Sequence, residues 1–401
     1  MNRPTTLPWY LAIACVSAAC GCNSSSGGTG VGGNAATGGS SGTGGVAAGT
    51  GGSSTGVGGS GSGGNTSSSG GSSAGGSGAG GTSGTGGSAG SGAVPPSCQA
   101  GGTGVTDCGS SKESCCTSIK VPGGTFSRTF TNDGSGAKDT ADPATISDFR
   151  LDKYLVTVGR YRAFIAAWNG GSGYSPPVGS GKHTHLNDGK GLADSGSPGA
   201  YEPGWTQTND KNLAPSSDNL ACTSNGATWT DTPGGGENLP INCVNWSEAY
   251  AFCIWDGGFL PSEAEYVYAA AGGSEQRQYP WGTQDPGKNN QYAIYGCNFP
   301  DASGTCNGIA SIAPVGTTKQ GAGRWGQLDL VGDLTEWNLD WFSPAYVNPC
   351  TDCAYVADGS GRVIRDGYFS SGSSTLLVSY RNSLYPTNRF SSFGFRCART
   401  P

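Results

Sequence analysis

Leu239-Pro240-Ile241-Asn242-Cys243-Val244-Asn245-Trp246, then Ala249-Tyr250-Ala251-Phe252-Cys253, then Gly257-Gly258-Phe259-Leu260-Pro261-Ser262-Glu263-Ala264-Glu265-Tyr266 is the stretch on which the fold turns. Ser247 is placed to cap a helix running to about Trp255, and Ser262-Glu263-Ala264-Glu265 has the spacing of a capping box that opens another. Upstream, Thr157 is placed to cap a helix whose apolar residues Val158, Tyr161, Phe164, Ile165 and Trp168 recur at three- and four-residue intervals, so that one face is core. Val121-Pro122-Gly123-Gly124-Thr125-Phe126 reads as a strand entering a turn, and Phe149-Arg150-Leu151-Asp152 as a second strand. Residues 170–238, rich in Gly, Pro, Ser, Asn and Asp and poor in periodicity, read as a loop-rich insertion held by Cys222. Beyond Gly272 the chain returns to short strands and turns. Few helices, many short strands and irregular loops together argue an α+β domain.

Further out, the composition divides the chain. Of 401 residues 74 are glycine, and 31 of these fall between Gly27 and Ser97. Of the 50 charged residues only Arg3 precedes Asp107, so the chain's net charge of −6 arises almost entirely in the C-terminal block. With 22 Lys and Arg against 28 Asp and Glu, the chain has no positive excess with which to neutralise phosphates, so a nucleic-acid partner is not expected. Within the tether assigned to residues 20–97, residues 23–97 are, apart from Pro95 and Pro96, Gly, Ser, Thr and Ala with scattered Val and Asn, which cannot bury enough apolar surface to offset ordering entropy. They are expected to be a flexible tether with a root-mean-square reach of roughly 45–50 Å.

The first 19 residues read as an export signal: Arg3 precedes an apolar run, Leu7 to Ala19, that is too short to span a bilayer. The run ends in Ser17-Ala18-Ala19-Cys20, which resembles a bacterial lipoprotein signal and implies lipidation of Cys20. Gly21 follows rather than a polar residue, so the outer membrane or cell surface is the expected location, with periplasmic or secreted protein as the alternative. Twelve cysteines lie from Cys98 onward, and an even count in an exported chain reads as a disulfide framework. Residues 98–118 are a small cysteine-dense segment ahead of a main domain at 119–401. Cys350-x-x-Cys353 is spaced for a disulfide, for redox work or for half of a zinc site, but no second x₂-spaced pair completes the last.

The quoted stretch, with Tyr279-Pro280-Trp281-Gly282 after it, resembles the central signature of the formylglycine-generating enzyme (sulfatase-modifying factor) family. Leu328-Asp329-Leu330-Val331-Gly332-Asp333-Leu334-Thr335-Glu336-Trp337 through Asp340-Trp341 is a second matching segment. The third is Arg362-Val363-Ile364-Arg365-Asp366-Gly367, Tyr380-Arg381-Asn382-Ser383 and Gly394-Phe395-Arg396-Cys397-Ala398. The resemblance implies the family's α+β fold, distantly similar to C-type lectins, low in regular secondary structure and here disulfide-rich. It also implies a disulfide between Cys253 and Cys397. A second family bond would need cysteines near Ala270 and Val378, and both are missing together. The other cysteines are expected to pair as Cys222 with Cys243, Cys297 with Cys306 and Cys350 with Cys353, with the four N-terminal ones among themselves.

The activity the resemblance implies is oxidation of a cysteine in an exported sulfatase to formylglycine, with copper held by two cysteine thiolates that follow the Arg-Val-x-x-Gly-Gly-Ser motif. This chain departs from it there. Ser371 stands where the first copper cysteine is expected, Thr375 or Leu376 where the second is, and Tyr368 replaces the motif's serine; no cysteine occurs between Cys353 and Cys397. A hydroxyl is a hard, un-ionised ligand, so copper is not expected. A related branch uses iron held by three histidines, and this chain has only His183 and His185. They read as part of a solvated loop, with a surface metal completed by Asp188 as the alternative.

The family's calcium site is matched at Asp329, Gly332, Leu334 and Glu336, two carboxylates and two backbone carbonyls offering hard oxygens to a hard cation. A second family calcium site is not expected, because Ala293 offers no side-chain ligand. These readings favour a membrane-tethered, calcium-stabilised domain without the oxidase chemistry, acting as a binding or scaffold module for an unknown peptide, glycan or exported protein. Trp337, Trp341, Tyr368 and Phe369 are candidates to line its groove or to be plain core. The alternatives are a formylglycine-generating oxidoreductase, and another reaction at the same cleft using Ser371, Tyr368, Asp366 or Arg381, for which no histidine follows Ser371 as a base.

Overall fold

A computed structural model describes residues 94–222 and 225–401. The proposed signal, Cys20 and most of the tether lie outside the described residues. The elements are β1 (Ser118–Val121), β2 (Gly124–Thr131), β3 (Lys138–Ile146), β4 (Phe149–Asp152), α1 (Val158–Trp168), β5 (Ala193–Asp194), α2 (Gln207–Asp210), α3 (Ser217–Ala221), α4 (Trp246–Trp255), α5 (Glu263–Ala270), β6 (Thr335–Trp341), β7 (Cys350–Thr351), β8 (Cys353–Ala354), β9 (Arg362–Arg365), β10 (Arg381–Leu384), β11 (Phe393–Gly394) and β12 (Ala398–Arg399).

The strands make small mixed sheets in the orders β1-β4-β12, β10-β9-β6-β11, β2-β3-β7 and β5-β8. β11 runs parallel to β6, β7 to β3 and β8 to β5, so the late strands close sheets begun far upstream. α1 starts where its cap predicts: the Thr157 hydroxyl accepts the Arg160 N–H, and Tyr161 and Phe164 are fully buried. α4 starts at Trp246, one residue before Ser247. Asn245 is its cap, because Asn245 and Glu248 exchange side-chain to backbone hydrogen bonds reciprocally at 2.9 and 3.1 Å. Ser247 lies inside the helix with its buried hydroxyl unpartnered. α5 opens on the capping box of Ser262 and Glu265.

One apolar core gathers α1, α4, β6 and β9 around Tyr161, Phe252, Trp337 and Phe395; a second lies under α5 and the β1-β4-β12 sheet. Cys253 and Cys397, 5.4 Å apart between Cα atoms, join α4 to the approach to β12. The remaining described cysteines pair as Cys98–Cys116, Cys108–Cys115, Cys222–Cys243, Cys297–Cys306 and Cys350–Cys353. Ala270 and Val378 are both buried in the second core, so apolar contact fills the place of a further bond.

The insertion is more deeply built in than its composition suggests. Leu186, Leu192, Trp205, Leu213 and Leu220 all join the first core. The cysteine-dense segment is likewise sewn to the domain through Arg160. Its guanidinium donates to the Ser97 hydroxyl, the Cys115 carbonyl, Asp152 and Asp256, at 3.0, 3.2, 3.1 and 2.6 Å respectively. A buried ion pair stripped of one partner strands a charge, so this single side chain ties segment, α1 and α4 into one unit.

Candidate functional site

The segment after β9 builds the site. Asp366 has φ +71, in the left-handed region that favours glycine, at the place where the family motif has glycine. Its carboxylate is buried with neither oxygen hydrogen-bonded, and burial, opposed by Arg365, pushes it up to about 7. The chain then turns through Gly367, where a Cβ would collide with the hydroxyls of both Thr375 and Ser371. Ser371 Oγ accepts from the Tyr368 N–H at 2.9 Å, and Thr375 Oγ1 donates to it at 2.8 Å. The hydroxyl pair thus closes its own small ring of hydrogen bonds.

Of the two candidates for the second family cysteine, Thr375 is the residue brought to Ser371. Leu376 turns inward on the 3-10 turn Ser373–Leu376 and is fully buried against Tyr279, Ala293 and Val331, with Leu377, Trp281 and Tyr295 packed around them. Two hydroxyls bonded to each other do not fit a copper ion that takes two thiolates. Ser371 has no basic side chain among its hydrogen-bond partners, so its hydroxyl is not activated as a nucleophile. Trp337 and Phe369 are plain core, the second of the two readings given for them. Tyr368 and Trp341 are partly exposed, the latter stacked on Arg362 with the guanidinium 3.7 Å from its ring centre. Arg381 is spent on Glu263, gripping its carboxylate at 2.8 and 2.7 Å.

The residues matched to calcium surround the start of β6. Gly332 has φ +82, and a Cβ there would stand 2.6 Å from the Ile294 carbonyl, so the turn requires glycine. Asp329 accepts the Gly316 N–H at 2.6 Å and the Thr318 hydroxyl at 3.1 Å. Glu336 is gripped by Arg396, Nε at 2.9 Å and Nη2 at 2.8 Å, and also accepts the Tyr266 hydroxyl at 2.9 Å. Burial raises Asp329 and Glu336, and raises Asp333 well above the carboxylate range, with Asp329 adding to the last. Arg396 hydrogen-bonds only the Glu336 carboxylate, while those of Asp329 and Asp333 have neutral donors alone, so a cation would offset the negative charge they take on when ionised. The hard oxygen donors are of the type calcium takes, with Arg396 competing for Glu336. Among the described residues no three His, Cys, Asp or Glu side chains converge as a metal-binding group, so such an ion would rest partly on carbonyl oxygens.

The histidines are not a solvated loop. His183 is fully buried, with Nδ1 3.0 Å from Glu202 and Nε2 3.1 Å from Glu265. Burial alone would lower it, but the two glutamates hold its pKa at about 10, so it is an imidazolium between carboxylates. His185 stacks on Phe259 with both ring nitrogens unpartnered, and burial, then the charge of His183, lowers its pKa. Neither Glu202 nor Arg396 was singled out from the sequence as a partner. The only hint was that Glu265 belongs to a capping box, which says nothing of a histidine 82 residues away.

A mixed α+β domain braced by disulfides, with a hydroxyl pair on a glycine-bordered loop and an acidic turn beside it, is the class these features define. The chain belongs to the family of the sulfatase-modifying factor enzyme 1-like domain, whose pattern matches residues 106–401. It is similar to the formylglycine-generating enzyme of Streptomyces coelicolor, 31% identical over 299 residues that make up 70% of this chain and 88% of that one. The enzyme of the same name from Thermomonospora curvata is 30% identical over 303 residues, 71% of this chain and 93% of that one. A mouse relative, inactive C-alpha-formylglycine-generating enzyme 2, is 30% identical over 161 residues, 40% of this chain and 49% of its own length.

Proposed function

We propose that this protein is an exported, lipid-anchored member of the family that has left the oxidase chemistry and serves as a binding or scaffold module for a peptide, a glycan or another exported protein. The observation that carries the reading is the 2.8 Å hydroxyl pair of Ser371 and Thr375 in the place where the family's thiolates are implied. Leu376 supports it by filling the space behind them. Partly exposed Tyr368, Ser371 and Thr375 beside exposed Gly372, Ser373 and Ser374 offer hydroxyls and one aromatic ring to a ligand. Calcium at Asp329 and the carbonyls of Gly332 and Leu334, with Glu336 shared between the ion and Arg396, is the structural cofactor of this reading.

The test is direct. The purified protein, given Cu(I) against a competing chromophoric chelator and then a cysteine peptide of sulfatase type, is expected to leave the metal with the chelator and the peptide mass unchanged. Loss of the peptide's thiol with gain of an aldehyde overturns the reading. Anchoring at Cys20 is tested separately, by incorporation of an alkyne fatty acid that Cys20→Ala abolishes; equal labelling of the variant removes the anchor.

A further inference from the structure

The loop that carries Ser371 has one redox-competent neighbour. The N–H of Cys297 donates to the Phe369 carbonyl at 2.7 Å, and that of Gly296 to the Ser371 carbonyl at 2.9 Å, so Cys297 lies along the candidate site. Cys297 is 6% exposed and is bonded to Cys306, nine residues on. Residues 300–307 between and around them are all exposed, and among the twelve described cysteines Cys306 alone is exposed. The other five disulfides keep both members buried or partly buried. Cys297 also has φ +55, a region sparsely populated by residues other than glycine, which it holds while tied to the exposed loop.

We propose that Cys297–Cys306 is a thiol–disulfide exchange site for a cysteine-bearing exported peptide or protein that docks beside the Ser371 loop. Exposed disulfides are the labile ones, because a thiolate must reach a sulfur in line with the bond it breaks. The peptide thiolate attacks Cys306 Sγ, a new S–S bond forms there, and the old bond breaks with its electron pair on Cys297 Sγ. The proton lost by the peptide thiol ends, through solvent, on the Cys297 thiolate. One disulfide replaces another, so no outside oxidant is needed. Where the peptide has a second thiol, that group displaces Cys306 in turn; the peptide leaves as a disulfide and its two electrons remain on the reduced Cys297 and Cys306. This exchange is distinct from formylglycine formation; docking beside the Ser371 loop rests on the binding reading, whereas exchange at Cys306 is read from the adduct alone.

The experiment uses the full-length oxidised protein and a limiting amount of a synthetic peptide with blocked ends and a single cysteine. After an acid quench, free thiols are capped with a maleimide and the digest is mapped by mass. The expected result is the peptide on Cys306 and the maleimide on Cys297, in clear excess of any other cysteine pair, as an accessible disulfide exchanges ahead of protected ones. Even spread over several pairs, preference for Cys98–Cys116 or Cys222–Cys243, or no adduct at all overturns the proposal. The double substitution Cys297→Ala with Cys306→Ala is expected to abolish the adduct; should that variant fail to fold, the wild-type map alone decides.

Discussion

Two neighbouring regions of this domain have diverged to different degrees. Around Arg396 the family motifs are present and every group is in use: one guanidinium serves Glu336 and four backbone carbonyls, and Cys397 beside it is bonded to α4. In the loop after β9, Asp366 sits where a glycine is expected and Ser371 and Thr375 bond to one another. The first region is built into the fold; the second carries the proposed function. Keeping one does not require keeping the other, because few hydrogen bonds run from the loop into the scaffold. Thr335 to the Asp366 carbonyl at 3.1 Å and Phe369 to the Asp333 carbonyl at 2.9 Å are two of them.

The sharpest way to break this contrast is Arg396→Gln. Removing the guanidinium strands Glu336 and four carbonyls in the core, and the expected loss is about 3–5 kcal/mol in chemical denaturation. A loss below about 1 kcal/mol, the worth of a single ordinary hydrogen bond, would show that the scaffold is not held where the contrast places it. His183 comes next and is read through pH. Its folded pKa of about 10 lies above the ordinary 6.5, so its stabilisation is fully present below pH 6.5 and is lost as pH rises toward 10. Unfolding free energy should therefore fall across that window in the native chain and fall less in His183→Gln, the native and variant curves converging at the alkaline end. Parallel curves would mean that the imidazole does not carry the charge.

How far these regions were legible beforehand follows from the range of the interactions. The box of Ser262 and Glu265 spans three residues, and the chain there does what the local spacing predicts. At α4 two local signals competed, and Asn245 with Glu248 at box spacing prevailed over Ser247, because the reciprocal pair satisfies two backbone donors where a lone serine satisfies one. Cys253 with Cys397 is 144 residues apart and was reached only through the family motif. His183 has partners 19 and 82 residues away, and no periodicity in a glycine-rich insertion announces them. The choice between Thr375 and Leu376 rested on a single 3-10 turn, in which one residue's step sends a hydroxyl toward Ser371 and a leucine into the core.

Calcium probes the border between the two regions. Saturating the ion at one hundred times its dissociation constant would add about 2.7 kcal/mol, read as a rise in melting temperature that a chelator reverses. Asp329→Asn is the informative variant, since Asp329 is held by neutral donors alone, whereas Glu336→Gln would also disturb Arg396. The rise should vanish in Asp329→Asn; a melt indifferent to calcium in the native chain removes the ion from the account.

The smallest effect belongs to the loop itself. Ser371→Ala deletes the acceptor of the Tyr368 N–H and of the Thr375 hydroxyl, yet both lie where water reaches, so the cost should be about 1 kcal/mol or less. Restoring thiols with Ser371→Cys and Thr375→Cys should be tolerated to a similar degree, because each sulfur replaces a hydroxyl on a partly exposed turn and Leu376 keeps its place in the core. If that double variant instead unfolds the domain by several kcal/mol, the hydroxyl pair is part of the scaffold, and the division between a region that folds and a region free to change fails at the residue chosen to demonstrate it.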